Sequence, residues 1–344
     1  MRWAGWLLAF WVACGGPGSG GGGGGSDVVT DGGAGTDGGV AAECVGLVPA
    51  PPGTAIAFDV PSNANDPITC GLSTVDGSGF IAAFAPSQTR PQQWMAFGPN
   101  GMRWGTFDAP AELFAQPTGF MGLSGAIEFV TLWDSGGSGK QSSTAATAIG
   151  PAFGSGAIAL SADSTSLTVT KVDDTASGIA STIVAGSFMP RGAAEDSSGA
   201  VLALTGNGSA VSGIWVDMAR QSAGQPFAIG TATTVKARPL LGGGLAIQLD
   251  GRWAGVVRPG ESALRPAPAW LGESRDFIPA RGGNAYAVMP NTGNSLGIVS
   301  AQGNSCGSAT FPGVSSVSVG IDGTVVGSTG TAGCTKYVWR NVLR

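Results

Sequence analysis

The sequence predicts an all-β protein, a seven-bladed β-propeller closed by an N-terminal strand that completes the last blade. Rings of six or eight blades, or a pair of β-sandwiches, are the alternatives. Three observations predict it. From residue 44 onward, short β-rich apolar stretches alternate with Gly, Ser, Asn and Pro clusters, and no helical period is sustained. A glycine followed by a run mixing alanine with larger apolar residues recurs seven times at a mean spacing of about 41 residues, the period of four-stranded blades. Finally, the last unit has only three strands, while the strand TAIAFDV (54–60) has no partner of its own.

The chain begins MRWAGWLLAFWVAC. Arg2 precedes an apolar run from Trp3 to Ala13 that is too short to span a bilayer and fits a secretion signal. Val12-Ala13-Cys14, followed by Gly15 and Gly16, resembles the lipobox of bacterial lipoproteins, although Trp11 stands where leucine is usual. The resemblance implies cleavage before Cys14 and lipidation of its sulfur. Residues 15–39 contain 14 glycines, with Ser19, Ser26, Asp27, Asp31 and Asp37 among them, and nothing there can build a core. The expected organisation is a signal peptide at 1–13, a lipidated cysteine and flexible tether at 14–43, and the propeller at 44–344. A glycine-rich leader behind a lipobox, followed by such a period, is similar to secreted propeller lipoproteins of myxobacterial type. That resemblance implies an exported protein, held in the bacterial cell envelope through its N-terminal lipid and expected at the outer membrane.

With Cys14 set aside, four cysteines remain, an even number that suits two disulfides in an oxidising compartment. Cys44, Cys70, Cys306 and Cys334 all flank the expected closure of the ring. Local pairing (44–70 and 306–334) is one option. Cross-pairing is the other, and up-down strand topology favours Cys70–Cys334 with Cys44–Cys306.

The repeat is anchored at Gly79, Gly125, Gly156, Gly199, Gly244, Gly283 and Gly323, with one short interval of 31 residues between Gly125 and Gly156. Trp94, Trp215 and Trp339 fall 15, 16 and 16 residues after their anchors, which reads as a packing residue between neighbouring sheets. KARPLL, DFIPAR and SSVSVGI read as strands leading into the glycine turn, and RWAGVVRP as the third strand of the fifth unit. Asp250-Gly251 and Asp322-Gly323 fit tight hairpin turns.

Composition narrows the chemistry. The 344 residues include no histidine, so a Ser-His-Asp triad and an imidazole metal site are excluded. Seventeen basic against 22 acidic residues give a net charge of −5, which argues against a nucleic-acid binder. Gly303-Asn304-Ser305-Cys306-Gly307 fits G-x-S-x-G but lacks the helix and the base, so it reads as a hairpin turn. Gly136 to Lys140 resembles a phosphate loop, but Asp134 and Gln141 stand where Gly and Ser or Thr are required. Ser161 to Thr165 half-matches the Asp-box turn of sialidase propellers.

Paired carboxylates are the remaining acid–base option. Asp173-Asp174 and Glu195-Asp196 are neighbours that point to opposite faces of a strand, and solvated turns are expected for both. Glu128, inside AIEFVTLW, is the candidate for a ligand channel along the axis. Seven basic residues against four acids fall between Lys236 and Arg281, and a basic sector of Arg238, Arg252, Arg258, Arg265, Arg275 and Arg281 would attract acidic glycan. The expected function is a monomeric, non-catalytic binding or interaction scaffold without cofactor or metal, its partner an envelope protein or an acidic glycan. The alternative is a carbohydrate-active enzyme using channel carboxylates.

Overall fold

A computed structural model describes Cys44 and residues 49–109, 112–124, 128–280, 285–329 and 334–343. The expectations for the signal peptide, Cys14 and the tether at 14–43 lie outside these residues, as do the anchors Gly125 and Gly283. The described residues form seven antiparallel sheets arranged as the blades of a propeller. Each blade begins at the axis and works outward, because consecutive strands pair as simple hairpins.

The first three blades have four strands each. They comprise Ser73–Val75, Ile81–Phe84, Gln93–Phe97 and Arg103–Asp108; then Phe114–Ala115, Phe120–Ser124, Phe129–Trp133 and Gly139–Ala145; then Ala148–Pro151, Ala157–Ala162, Ser166–Val172 and Gly178–Ala185. Blade 4 runs Pro190–Glu195, Ala200–Asn207 and Ala210–Asp217, and its fourth position is shared by two short pieces, Ser222–Ala223 and Phe227–Thr231. Blade 5 departs from the expected four strands. It has Val235–Pro239, Leu245–Leu249 and Arg252–Val257, and an isolated bridge from Val256 to Arg265 replaces the fourth. Blade 6 is complete with Ser274–Pro279, Ala285–Pro290, Ser295–Ser300 and Ser305–Thr310.

Blade 7 holds Ser316–Val319, Val325–Ser328 and Cys334–Trp339, and Ile56–Val60 pairs antiparallel with the last of these. The N-terminal strand therefore closes the ring as the orphan strand predicts, and it covers the edge that blade 7 would otherwise expose. Both expected disulfides are present, Cys44–Cys306 and Cys70–Cys334. Arg340 adds a polar clasp at this seam: its guanidinium donates to the carbonyls of Gly79 (2.8 Å) and Pro99 (2.6 Å) in blade 1 and to Thr324 Oγ1 (3.0 Å) in its own blade.

The second strand of each blade is flanked by neighbouring sheets, so its burial does not alternate. Ile81 to Ala83 and Val201 to Leu204 are buried without a break, and alanines fill the positions where sheets come closest. Blades 3 and 4 show how close that is: a Cβ at Gly150 would lie 1.6 Å from the Ala193 carbonyl oxygen. Core clusters accordingly lie between blades. Trp94 and Phe107 of blade 1 pack with Phe120 and Trp133 of blade 2, and Phe311 of blade 6 meets Trp339 of blade 7 at 4.8 Å between ring centroids. Trp215 packs in the same way, half-buried, in the cluster of blades 4 and 5.

The structure moves one anchor of the repeat. In blade 2 the glycine before the second strand is Gly119, with φ of 85°, matching 84° at Gly79, Gly156 and Gly199. The short interval disappears, and the spacings from Gly79 to Gly156 become 40 and 37 residues. Asp250-Gly251 is a two-residue turn with φ of 47° and 81°, both in the left-handed region that this hairpin requires.

Lys336 is the one buried basic side chain among the largest fully buried residues, and it sits at the same seam. Its Nζ donates to the Gly71 carbonyl (2.6 Å) and Ser328 Oγ (2.7 Å), and burial pushes its pKa down to about 8. The unfolded chain keeps the proton up to about pH 10.4. Between these two values the unfolded state binds the extra proton, so stability rises with pH across that window. Melting at pH 7.5 and 9.5 is expected to show a higher midpoint at 9.5 for the wild type, and Lys336→Met is expected to lose that increment. Equal pH slopes for the two proteins would refute it.

Candidate functional site: the axial channel

The first strands of blades 1, 2, 3, 5, 6 and 7 contribute to the lining of a channel of about 440 Å³. The glycine turns set one end of it. Glu112 precedes the inner strand of blade 2, and Lys236 and Arg238 belong to the inner strand of blade 5. Residues two apart on a strand share a face, so Lys236 and Arg238 both line the channel. Their side chains reach across it to the same atom: Glu112 Oε1 lies 3.4 Å from Lys236 Nζ and 3.1 Å from Arg238 Nη2. The Arg238 guanidinium also stands over the Phe114 ring, 5.5 Å from its centroid, which fixes its orientation. Asp276 lines the channel too, and its Oδ1 accepts from the Phe277 amide at 2.9 Å. Towards the glycine turns the wall becomes apolar, with Phe153 and Ile321 exposed at that mouth.

Glu128, the sequence candidate for the channel, is not part of its lining. It lies exposed in the turn before Phe129–Trp133. The physical reason is the shifted anchor: Glu128 lies in the turn before the third strand, which Phe129 opens, whereas FMGLS (120–124) is the strand next to the axial one. Glu112 and Asp276 are the carboxylates that line the channel.

The arginines of the proposed basic sector occupy different surroundings. Arg238 faces the channel. Arg252 opens the third strand of blade 5 and is exposed. Arg258 and Arg265 meet in one loop around Glu261, which accepts from the Arg258 amide at 3.1 Å and pairs with the Arg265 guanidinium. Arg275 turns to the next blade, where it donates to the Val317 carbonyl; its burial lowers its pKa, and Asp276 partly offsets this. Arg281 lies outside the described residues.

Of the carboxylate pairs, Asp173 caps a hairpin turn as expected, accepting from the amides of Thr175 and Ser177 at 2.9 Å each. Glu195-Asp196 is not a solvated turn: both are buried. Glu195 pairs with Lys171 and accepts from the Phe153 amide of blade 3 at 3.0 Å. Asp196 Oδ1 caps its own turn through Ser198 and Ala200, while its Oδ2 accepts from the Gly244 amide of blade 5 at 3.2 Å. Asp76 does the same between blades 1 and 2 through the Gly119 amide (2.7 Å), and Gln116 between blades 2 and 3 through the Gly156 amide (2.7 Å). An acidic or amide side chain three residues before the anchor glycine thus latches each of these blades to the next. The signal, Asp or Gln followed by two residues and Gly, stood in the sequence at 76–79, 116–119 and 196–199.

The remaining motifs are turns. Asp134 Oδ1 caps the loop containing Gly136 to Lys140, accepting from the Gly136 and Ser138 amides. Asp163 caps the hairpin that half-matches an Asp-box, and the hydrogen bonds from Thr165 and Ser166 hold its pKa at about 2. Ser305 of G-x-S-x-G is an exposed strand residue beside the disulfide cysteine. Among the described residues, no group of three or more Cys, Asp or Glu side chains could hold a metal ion.

Fold and site together define a closed seven-bladed β-propeller with a ligand-sized axial channel. No protein-family model and no curated protein matches the chain. Among solved structures it is similar to hydrazine synthase of Kuenenia stuttgartiensis, at 12% identity over 80% of this chain and 96% of that one, with a TM-score of 0.49. It is similar to BamB from Moraxella catarrhalis, at 14% identity over 86% of this chain and 95% of that one, with a TM-score of 0.41. A catalytically inactive virginiamycin B lyase from Staphylococcus aureus matches at 11% identity over 82% of this chain and 98% of that one, with a TM-score of 0.46.

Proposed function

We propose that the protein is an exported lipoprotein of the bacterial cell envelope whose propeller is a non-catalytic binding scaffold, with its ligand seated in the axial channel. The observation that carries the scaffold reading is the cross-channel cluster of Glu112, Lys236 and Arg238. One carboxylate oxygen is engaged by two cations from the far side of the ring, an arrangement suited to recognising charge. Export and anchoring rest on the apolar leader and on Val12-Ala13-Cys14, and two disulfides suit an oxidising compartment. No helix among the described residues is long and apolar enough to cross a membrane. The lipid on Cys14 is what holds the protein to the outer membrane in this reading, with an envelope protein or acidic glycan as its macromolecular partner.

Metabolic labelling tests the anchor. Cells expressing the full chain with an alkyne-tagged palmitate are expected to label the protein, and Cys14→Ser is expected to abolish the label and release the protein into the soluble envelope fraction. A labelled Cys14→Ser variant, or an unlabelled wild type in a lipoprotein-processing host, would refute it.

A carbohydrate-active enzyme remains the second reading, because Glu112 and Asp276 both line the channel. Glycosidases flank the scissile bond with two carboxyl groups, one of which must deliver a proton. Turnover of aryl glycosides by the wild type that disappears in Glu112→Gln would favour this reading over the scaffold.

A further inference from the structure

We infer that the axial channel binds a zwitterion with an apolar body, a molecule of no net charge whose carboxylate and ammonium lie at one end. This rests on the scaffold reading and names its ligand class. The channel of about 440 Å³ lies within the range of about 300–1,000 Å³ typical of small-ligand sites. Among the described residues, four charged side chains line it, Glu112 and Asp276 against Lys236 and Arg238, so its charge sums to zero. A head of one sign breaks that balance between apolar walls, where charge is poorly screened. A head bearing both charges keeps it.

The four charges fall into two groups. Glu112 takes both cations on one oxygen, 3.4 Å from Lys236 Nζ and 3.1 Å from Arg238 Nη2. Asp276 is the second group. Among the described residues it forms no ion pair, and its Oδ1 accepts from the Phe277 amide. The fold sets the two groups side by side: Lys236 and Asp276 each stand three residues before the proline that ends the inner strand, Pro239 in blade 5 and Pro279 in blade 6. Neighbouring blades therefore present a cation and a carboxylate at matching positions along the channel. A ligand carboxylate fits Arg238, whose guanidinium carries five donors in a planar fork, gives one to Glu112 and stands over the Phe114 ring. A ligand ammonium fits Asp276. The apolar body follows from the rest of the wall. Ile278 shares the face of Asp276, one step nearer the glycine turn, and Phe153, Leu241, Val319 and Ile321 line the channel around those turns.

The test is calorimetric titration of the full chain at pH 7 with L-phenylalanine and two stripped analogues. One analogue, 3-phenylpropionate, lacks the ammonium; the other, 2-phenylethylamine, lacks the carboxylate. L-Phenylalanine is expected to bind at least about tenfold more tightly than either. Single-charge variants are expected to change the order. Asp276→Asn leaves the channel with one positive charge in excess, so 3-phenylpropionate overtakes L-phenylalanine. Arg238→Met leaves one negative charge in excess, so 2-phenylethylamine overtakes it, with Lys236→Met as a second variant should the first lose its near-ultraviolet circular dichroism. A merely structural role for these side chains would weaken all three probes together. An analogue that binds the wild type as tightly as L-phenylalanine, an unchanged order in both variants, or no binding of any probe would overturn the inference. Failure of the scaffold reading looks different: it appears as glycoside turnover, whichever probe binds.

Discussion

Asp76→Ala is expected to cost about 3–5 kcal/mol of stability, the largest loss from any single side chain of the latch. Asp76 is fully buried. Its Oδ1 accepts from the amides of Ser78 and Phe80 at 2.9 Å, closing the inner turn of blade 1. Its Oδ2 accepts from the Gly119 amide at 2.7 Å and Ser135 Oγ at 2.8 Å, both in blade 2. Truncation therefore strands the buried Gly119 amide and leaves the part-buried amides of Ser78 and Phe80 without their acceptor, and a buried donor without a partner costs about 1–3 kcal/mol. Asp134→Ala is the matched control. Asp134 makes the same two-amide turn cap at 2.9 and 2.8 Å, but it is exposed and its carboxylate accepts from its own turn and from no other blade. Its loss is expected to cost about 1 kcal/mol or less, since water replaces the acceptor. Urea unfolding of the two variants measures the difference, which is the contribution of the latch. Equal losses would mean that Asp76 is only a turn cap.

The latch also shows which parts of this fold can be read from sequence. The blade period was legible because the described inner turns carry a glycine at positive φ before a strand that is buried on both faces, and both requirements are local. Phase was less legible. Ser124-Gly125-Ala126 looks like an anchor because alanine and apolar residues follow it, yet FMGLS already supplies the buried strand, and composition does not say which glycine turns left-handed. The error carried Glu128 towards the axis and hid Glu112. The tryptophans were legible as packing residues, but equal spacing from an anchor does not mean equal height: Trp94 stands opposite Phe84, Trp215 opposite Leu202 and Trp339 opposite Val325.

The site was illegible for a stronger reason. Glu112 and Arg238 are separated by 126 residues and meet because the ring places blade 2 across from blade 5. No local pattern encodes that distance. Likewise, Glu195-Asp196 looks solvated among Ser and Gly, and its burial follows from neighbouring blades that its own segment does not announce.

Closure of the ring, by contrast, was read from chain ends alone, and it sets the second large effect. Removing Cys70–Cys334 by a double alanine substitution is expected to destabilise the protein by about 3–4 kcal/mol. The two disulfides span 262 and 264 residues and are offset by fewer than thirty residues at each end. With Cys44–Cys306 intact, breaking the other bond therefore frees an effective loop of about fifty residues, for which chain-entropy reasoning gives about 4 kcal/mol. Removing both bonds is expected to cost more than twice as much as either, because the N-terminal segment is then held to blade 7 without a covalent link, through the pairing of Ile56–Val60 with Cys334–Val338, the hydrogen bond from Thr335 Oγ1 to Asp59 (2.6 Å) and that from the Ala50 amide to the Val342 carbonyl (2.8 Å). Loss of that strand bares the edge of Cys334–Trp339 and opens the seam over Val338 and Lys336, which are otherwise buried. Urea midpoints with and without reductant read the effect, and the reductant should do nothing to the quadruple alanine variant. A reductant shift no larger in the wild type than in that variant would show that the ring closes by packing alone, and a non-reducing peptide map joining residues 44 and 70 would overturn the pairing itself.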